Sequence, residues 1–108
     1  MRGILQLIRD NVANGRIRLS QHGFRKLQER AIEYDEILAG LALAEPIEFY
    51  PDYVHGPSVL VLQTDFQGEP IHVMWGLPKQ GPQFAAIVTA YKPDPTLWET
   101  GMTRRKAK

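Results

Sequence analysis

Apolar residues fall at Ile4, Leu5, Ile8 and Val12, the three-and-four spacing of a helix that turns one face to a core. This spacing predicts a first helix over 3–13, and Asn14-Gly15 supplies its stop signal. Arg16-Ile17-Arg18-Leu19 alternates, as a short extended piece does, and Ser20 stands where an N-cap belongs. A second helix is predicted over about 21–30, with Phe24, Leu27 and Ala31 within about 60° of one another and turned inward. A third, over about 34–43, carries Ile37, Leu38, Leu41 and Ala42, and Pro46 marks the end of that region.

Beyond Pro46 the pattern shortens toward a period of two. Strands are predicted over 47–50, 58–63, 71–75 and 84–91. Asp65-Phe66-Gln67-Gly68 reads as a turn with glycine where a positive φ is needed, and Pro70 is tolerated at a strand start. Residues 77–82 form a Gly/Pro loop, Pro93 and Pro95 stop the last strand, and Leu97-Trp98 is expected to dock on the body. Short loops favour antiparallel neighbours, because parallel strands need long crossovers. The expected fold is α+β, with N-terminal helices packed on one face of a four-stranded antiparallel β-meander.

The 108 residues suffice for one domain, expected over 1–98, followed by a basic, disordered tail over 99–108. With 44% hydrophobic and 23% charged residues, a real core is expected rather than disorder. The absence of cysteine excludes a disulfide scaffold, a thiolate nucleophile and a Cys-based zinc site. No apolar run approaches the roughly 20 residues that span a bilayer, and the first residues lack a continuous apolar leader segment. A cytoplasmic protein without a membrane partner is therefore expected. The net charge of +1 is small, but Arg16, Arg18, Arg25, Lys26 and Arg30 crowd one early stretch, and Arg104, Arg105, Lys106 and Lys108 end the chain.

The second helix carries the first candidate chemistry. With His22 at 0°, Lys26 falls at about 40°, Glu29 at about 340° and Arg25 at about 300°. A histidine moves protons near neutral pH, and neighbouring cations hold a phosphate. Such a cluster suits RNA cleavage, in which a base takes the 2′-OH proton, an acid protonates the leaving oxygen and cations stabilise the phosphorane. The plainer reading is a solvated face with ordinary i,i+3 and i,i+4 pairs.

Strand alternation supplies a second constellation. His72 and Met74 point one way, and Ile71, Val73 and Trp75 the other. On the last strand Ile87, Thr89 and Tyr91 share a face, opposite Val88 and Ala90. If Trp75 and Val88 lie under the helices, His72, Thr89 and Tyr91 meet on the far side. The plainer reading there is a half-buried histidine bonded to a neighbour. His55, in the loop Asp52-Tyr53-Val54-His55-Gly56-Pro57, reads as a turn residue. None of the three histidines has a second ligand at an H-x-x-x-H or H-E-x-x-H spacing, so neither metal nor cofactor is expected. No Gly-rich phosphate loop and no G-x-S-x-G occur. Phe49, Tyr50 and Tyr53 either stack on bases or seal the edge of the core.

Ser20-x-His22-Gly23-x-x-Lys26-Leu27-x-Glu29-Arg30-Ala31-Ile32 resembles the opening motif, S-x-H-A-x-x-R-M-x-E-R-G-I, of bacterial domain-of-unknown-function family 4258. The likeness continues through Ile47-Glu48-x-Tyr50-Pro51, Gly56-Pro57-Ser58 and His72-Val73, and ends with Thr89-Ala90-Tyr91-x-Pro93-Asp94-Pro95-x-x-Trp98. Four positions depart from the motif, the conservative Leu27 for methionine among them. Lys26 replaces arginine, keeping charge but losing the planar fork. Ala31 replaces glycine, which predicts a less sharply turned helix junction. Gly23 replaces alanine, which weakens the helix by up to about 1 kcal/mol and opens an approach to His22. The resemblance implies the fold shared by barnase, colicin-type nucleases and the RelE-like and MqsR-like toxins, which cut RNA without metal. It also implies an antitoxin partner that covers the active face.

Together these observations predict a metal-independent endoribonuclease of the bacterial toxin–antitoxin type acting on RNA. His22 and His72 would be the acid/base pair, and Arg25, Lys26 and Arg30 the phosphate contacts. Glu29 would orient His22 or Lys26, and Thr89 and Tyr91 would position the scissile phosphate. The alternative is a non-catalytic protein- or RNA-interaction module using the His22–Arg30 face. A metal site or an unrelated enzyme is a third reading.

Overall fold

The computed structural model describes residues 3–79, 84–99 and 101. Helix α1 (Ile4–Ala13) turns Leu5 and Ile8 into the core at the spacing its sequence sets. Arg9 reaches from it to the carbonyls of Leu41 and Ala44, at 3.1 and 3.0 Å. A two-residue strand, β1 (Ile17–Arg18), precedes helix α2 (Gln21–Glu29). The predicted N-cap is in place, since Ser20 Oγ accepts the Gly23 N–H at 2.9 Å. Helix α3 (Tyr34–Gly40) opens with a capping box between Glu33 and Glu36. The buried Glu36 carboxylate accepts the Glu33 N–H at 2.9 Å and the Phe66 N–H at 2.7 Å, which fastens α3 to the turn beside Gly68. The helical pattern predicted to 43 finishes as a single 3-10 turn over Leu41–Leu43.

Strands β2 (Glu45–Tyr50), β3 (Ser58–Thr64), β4 (Pro70–Gly76) and β5 (Ala85–Tyr91) follow, each antiparallel to the one before it. The expected meander is therefore present, but it is not the whole sheet. β1 adds to β5 in parallel, with Ile17 opposite Ala85 and Arg18 opposite Ala86, so the sheet is five-stranded and mixed, in the order β1-β5-β4-β3-β2. The alternation over 16–19 does mark an extended piece, but its partner lies at the far end of the chain. Pro46 is inside β2 rather than before it, at a bulge in an edge strand where a missing N–H is tolerated.

The core lies between the helices and one face of this sheet. Leu5, Ile8, Leu27, Ile32, Ile37 and Leu41 pack against Val59, Val61, Ile71, Val73, Trp75, Ala85, Ile87 and Ala90. Trp75 is fully buried, and its indole N–H donates to Gln63 Oε1 at 2.9 Å. The Gln63 amide in turn donates to the Ile37 carbonyl at 2.8 Å, so the polar atoms under the sheet are satisfied. Gly56, at φ 128°, lets the 51–57 loop lie against the Leu77 carbonyl, where any side chain would collide with backbone.

Two assignments of side chains to faces need correction. Strict alternation along β5 fails because a bulge pairs Met74 with Thr89 and Trp75 with Ile87. Ile87 and Ala90 therefore both enter the core, and Val88, expected under the helices, is exposed. On α2 only Leu27 is buried. Phe24 is 47% exposed, and Ala31 lies past the helix end in the left-handed region, at φ 56°. The junction that the alanine was expected to loosen is thus fully turned.

The far face of the sheet carries Leu60 and His72, both buried; of the Leu97-Trp98 pair expected to dock, Trp98 packs on His72, whereas Leu97 is 60% exposed. No described helix is long and apolar enough to cross a membrane. Apart from residues 99 and 101, the predicted basic tail lies outside the described residues, as do positions 80–82 of the 77–82 loop.

Candidate functional site

Helix α2 lies along β5 beyond the point where β1 stops, and a small cleft runs between them. The cleft encloses about 160 Å³ and is lined by His22, Gly23, Lys26 and Arg30 from the helix and by Val88 and Thr89 from the bulged strand. Leu19, just ahead of the N-cap, forms an apolar wall. The bulge turns Val88 and Thr89 toward this edge, so the same irregularity that defeats strict alternation builds one side of the cleft.

Arg30 is the fixed cation. Its Nη1 donates to the Ala90 carbonyl at 2.7 Å and to Thr89 Oγ1 at 3.3 Å. Its Nη2 and Nε have no partner among the described residues, so one edge of the guanidinium remains for an anion. Lys26 pairs with Glu29 at 3.4 Å on the solvent side. Glu29 thus meets Lys26, as expected, and not His22. Exposed pairs of this kind are weak and readily exchanged for a ligand. His22 is exposed and has no hydrogen-bond partner among the described residues, which leaves both ring nitrogens to solvent. Gly23 lies against the Leu19 side chain and the Ser20 hydroxyl, where a Cβ would sit 2.8 Å from Leu19 Cδ1.

The other candidate residues are elsewhere. Arg25 lines a second, broader groove with Ile17, Phe24 and Tyr34. His72 and Tyr91 face each other across β4 and β5, and register places Thr89 on their side of the sheet, as the strand pattern predicted. His72 is nevertheless fully buried and does not line the cleft. Its Nδ1 lies 3.3 Å from the Tyr91 hydroxyl, and Trp98 meets its ring edge-on at 4.4 Å between centroids. Tyr91 does not line the cleft either. His55 is exposed on its loop, edge-on to Tyr53 at 5.6 Å. Phe49 is exposed on β2, and the Tyr50 hydroxyl donates to Glu48 at 2.9 Å. Among the described residues no three His, Asp or Glu side chains are grouped to hold a metal ion.

Among the cleft residues that sequence reasoning did not assign to a site are Leu19 and Val88. Leu19 carried a signal, since it precedes the N-cap and Phe24 lies at the fourth helical position, the two places of a hydrophobic staple. Val88 carried none, because a bulge is set by the partner strand.

Chemically, the cleft presents an imidazole, an ammonium and a guanidinium edge within one helix face, beside a threonine hydroxyl. That set suits an oxyanion, with a proton carrier next to it. No curated protein and no solved structure matches the chain. The family described as Domain of unknown function (DUF4258) matches residues 19–92, from the apolar wall of the cleft to the end of β5. That stretch is well over half of the 108 residues, and the chain belongs to this family.

Proposed function

We propose that the chain is a metal-independent endoribonuclease of the toxin kind, and that the α2–β5 cleft receives the scissile phosphate. The observation that carries the reading is that His22, Lys26, Arg30 and Thr89 line one cleft. In this reading the free guanidinium edge of Arg30 and the Lys26 ammonium hold the non-bridging oxygens. The His22 imidazole takes the proton of the ribose 2′-OH, and the 2′-oxygen attacks phosphorus. The bond from phosphorus to the 5′-oxygen breaks, and that oxygen takes a proton from the Lys26 ammonium. The products are a 2′,3′-cyclic phosphate and a 5′-hydroxyl, and His22 and Lys26 return to their starting states by proton exchange with water. An antitoxin protein would neutralise such an enzyme by covering the cleft.

A second reading is favoured by the burial of His72. Without that residue the cleft holds a single histidine, and the same face then serves as a non-catalytic module that binds RNA or protein. The test is cleavage of a single-stranded RNA by wild type and His22→Ala in the presence of EDTA, with fragment ends identified. The nuclease reading expects cyclic-phosphate ends and a loss of at least about a hundredfold with the substitution. His22 is exposed and unbonded, so the variant should remain folded. Retained binding with no cleavage by the wild type selects the second reading. Cleavage that is indifferent to His22 refutes the mechanism.

A further inference from the structure

The apolar wall formed by Leu19 has two sides. One side faces the α2–β5 cleft. The other opens on a groove of about 680 Å³ lined by Ile17, Phe24, Arg25 and Tyr34, with Gln21 at its rim. Phe24 lies in the groove with nearly half its surface in water, an uncommon place for a large aromatic. A separate groove on the other side of Phe24 and Tyr34 carries two carboxylates, Glu33 and Asp35.

Charge indicates what the Ile17–Tyr34 groove receives. It contains one cation, Arg25, and no carboxylate. Arg18, on the strand that borders it, places its guanidinium 4.5 Å from the centre of the Phe84 ring. Arg25 lies one helical turn from His22, so an anion at each would be spaced as neighbours on the same helix surface. Gln21 offers an amide with no partner among the described residues, a donor and an acceptor on one side chain.

We infer that this groove is a nucleobase subsite for single-stranded RNA. The nucleotide next to the one held at His22 stacks its base on Phe24, places its phosphate at Arg25 and turns a base edge to Gln21. The inference rests on the RNA reading above and adds to it the substrate class: an unpaired strand, because a base held in a duplex has no face to offer Phe24.

The test uses a fluorescent 2′-O-methyl single-stranded oligonucleotide, which lacks the attacking hydroxyl and so binds without being cut. Binding is measured by anisotropy for wild type, Phe24→Ala, Phe24→Leu, Phe24→Trp and Lys26→Ala. A lost stack should weaken binding by roughly fivefold to a hundredfold in Phe24→Ala. Phe24→Trp should restore it, and an abasic oligonucleotide should bind weakly with no dependence on residue 24. Thermal melts establish that each variant is folded. Leucine matching phenylalanine would overturn the stack, since apolar area alone would then suffice. Unchanged affinity in Phe24→Ala with weakened affinity in Lys26→Ala would overturn the subsite and leave the RNA reading standing. A wild type that does not bind the oligonucleotide would overturn the RNA reading and the subsite with it.

Discussion

Replacing Ala31 by glycine should stabilise the domain. Ala31 follows Arg30, the C-cap of α2, at φ 56°. Two hydrogen bonds hold it there. Its own N–H donates to the Gln28 carbonyl at 3.2 Å, and the Ile32 N–H donates to the Leu27 carbonyl at 2.9 Å. This pair of bonds closes a helix through one left-handed residue, usually glycine. With a Cβ, that conformation costs about 1–2 kcal/mol. Glycine removes the cost but has more freedom to lose on folding, which offsets about 0.4–1 kcal/mol. Ala31 is exposed, so losing its methyl sacrifices little burial. The net gain is roughly 0.5–1 kcal/mol, or about 2–8 °C in the midpoint of a domain near this size. Urea unfolding should show a higher midpoint at the same slope, and Ala31→Val should move the midpoint the other way. A glycine variant with an unchanged or lower midpoint at equal slope would refute the argument, because the methyl would then cause no strain.

Two further predictions concern packing away from the cleft. Trp98→Ala should cost roughly 3–5 kcal/mol, and it should make His72 reactive toward diethyl pyrocarbonate in the folded protein. An unreactive His72 in a folded variant would mean that Trp98 is not its cover. Glu36→Ala removes the acceptor of both the Glu33 and the Phe66 N–H and should cost roughly 2–4 kcal/mol by urea unfolding. Glu36→Gln should fall between, since its amide offers one oxygen where the carboxylate offers two.

Local signals were legible in the sequence, and long-range ones were not. The Ser20 cap, the Gly68 turn and the helical face of His22 and Lys26 follow from residues within a turn or a strand of one another. The order β2 to β5 follows as well, because short loops leave antiparallel pairing as the economical choice. What stayed hidden depends on partners far along the chain. Ile17 and Arg18 become a strand only because Ala85 and Ala86 lie beside them. Ile87 enters the core only because the β4–β5 pairing skips a residue at Val88. Alternation did place His72, Thr89 and Tyr91 on one face. It says nothing of depth, and Trp98 takes His72 out of solvent. Phe24 obeys the helical spacing of the core, yet at its end of α2 it meets an open groove.

The bond between Arg30 and Thr89 joins residues 59 positions apart, and β1, immediately ahead of α2, is held by the last strand of the sheet. The helix that carries His22 is therefore made early, and the strand that completes its cleft is made late. Contacts of such separation form slowly, after the local turns and hairpins. A nascent or truncated chain that ends before β5 bears the same charges on α2, but nothing positions Arg30 and no threonine faces it. Whatever the cleft does begins only when the domain is complete, so the fold itself sets the moment in synthesis at which the cleft exists.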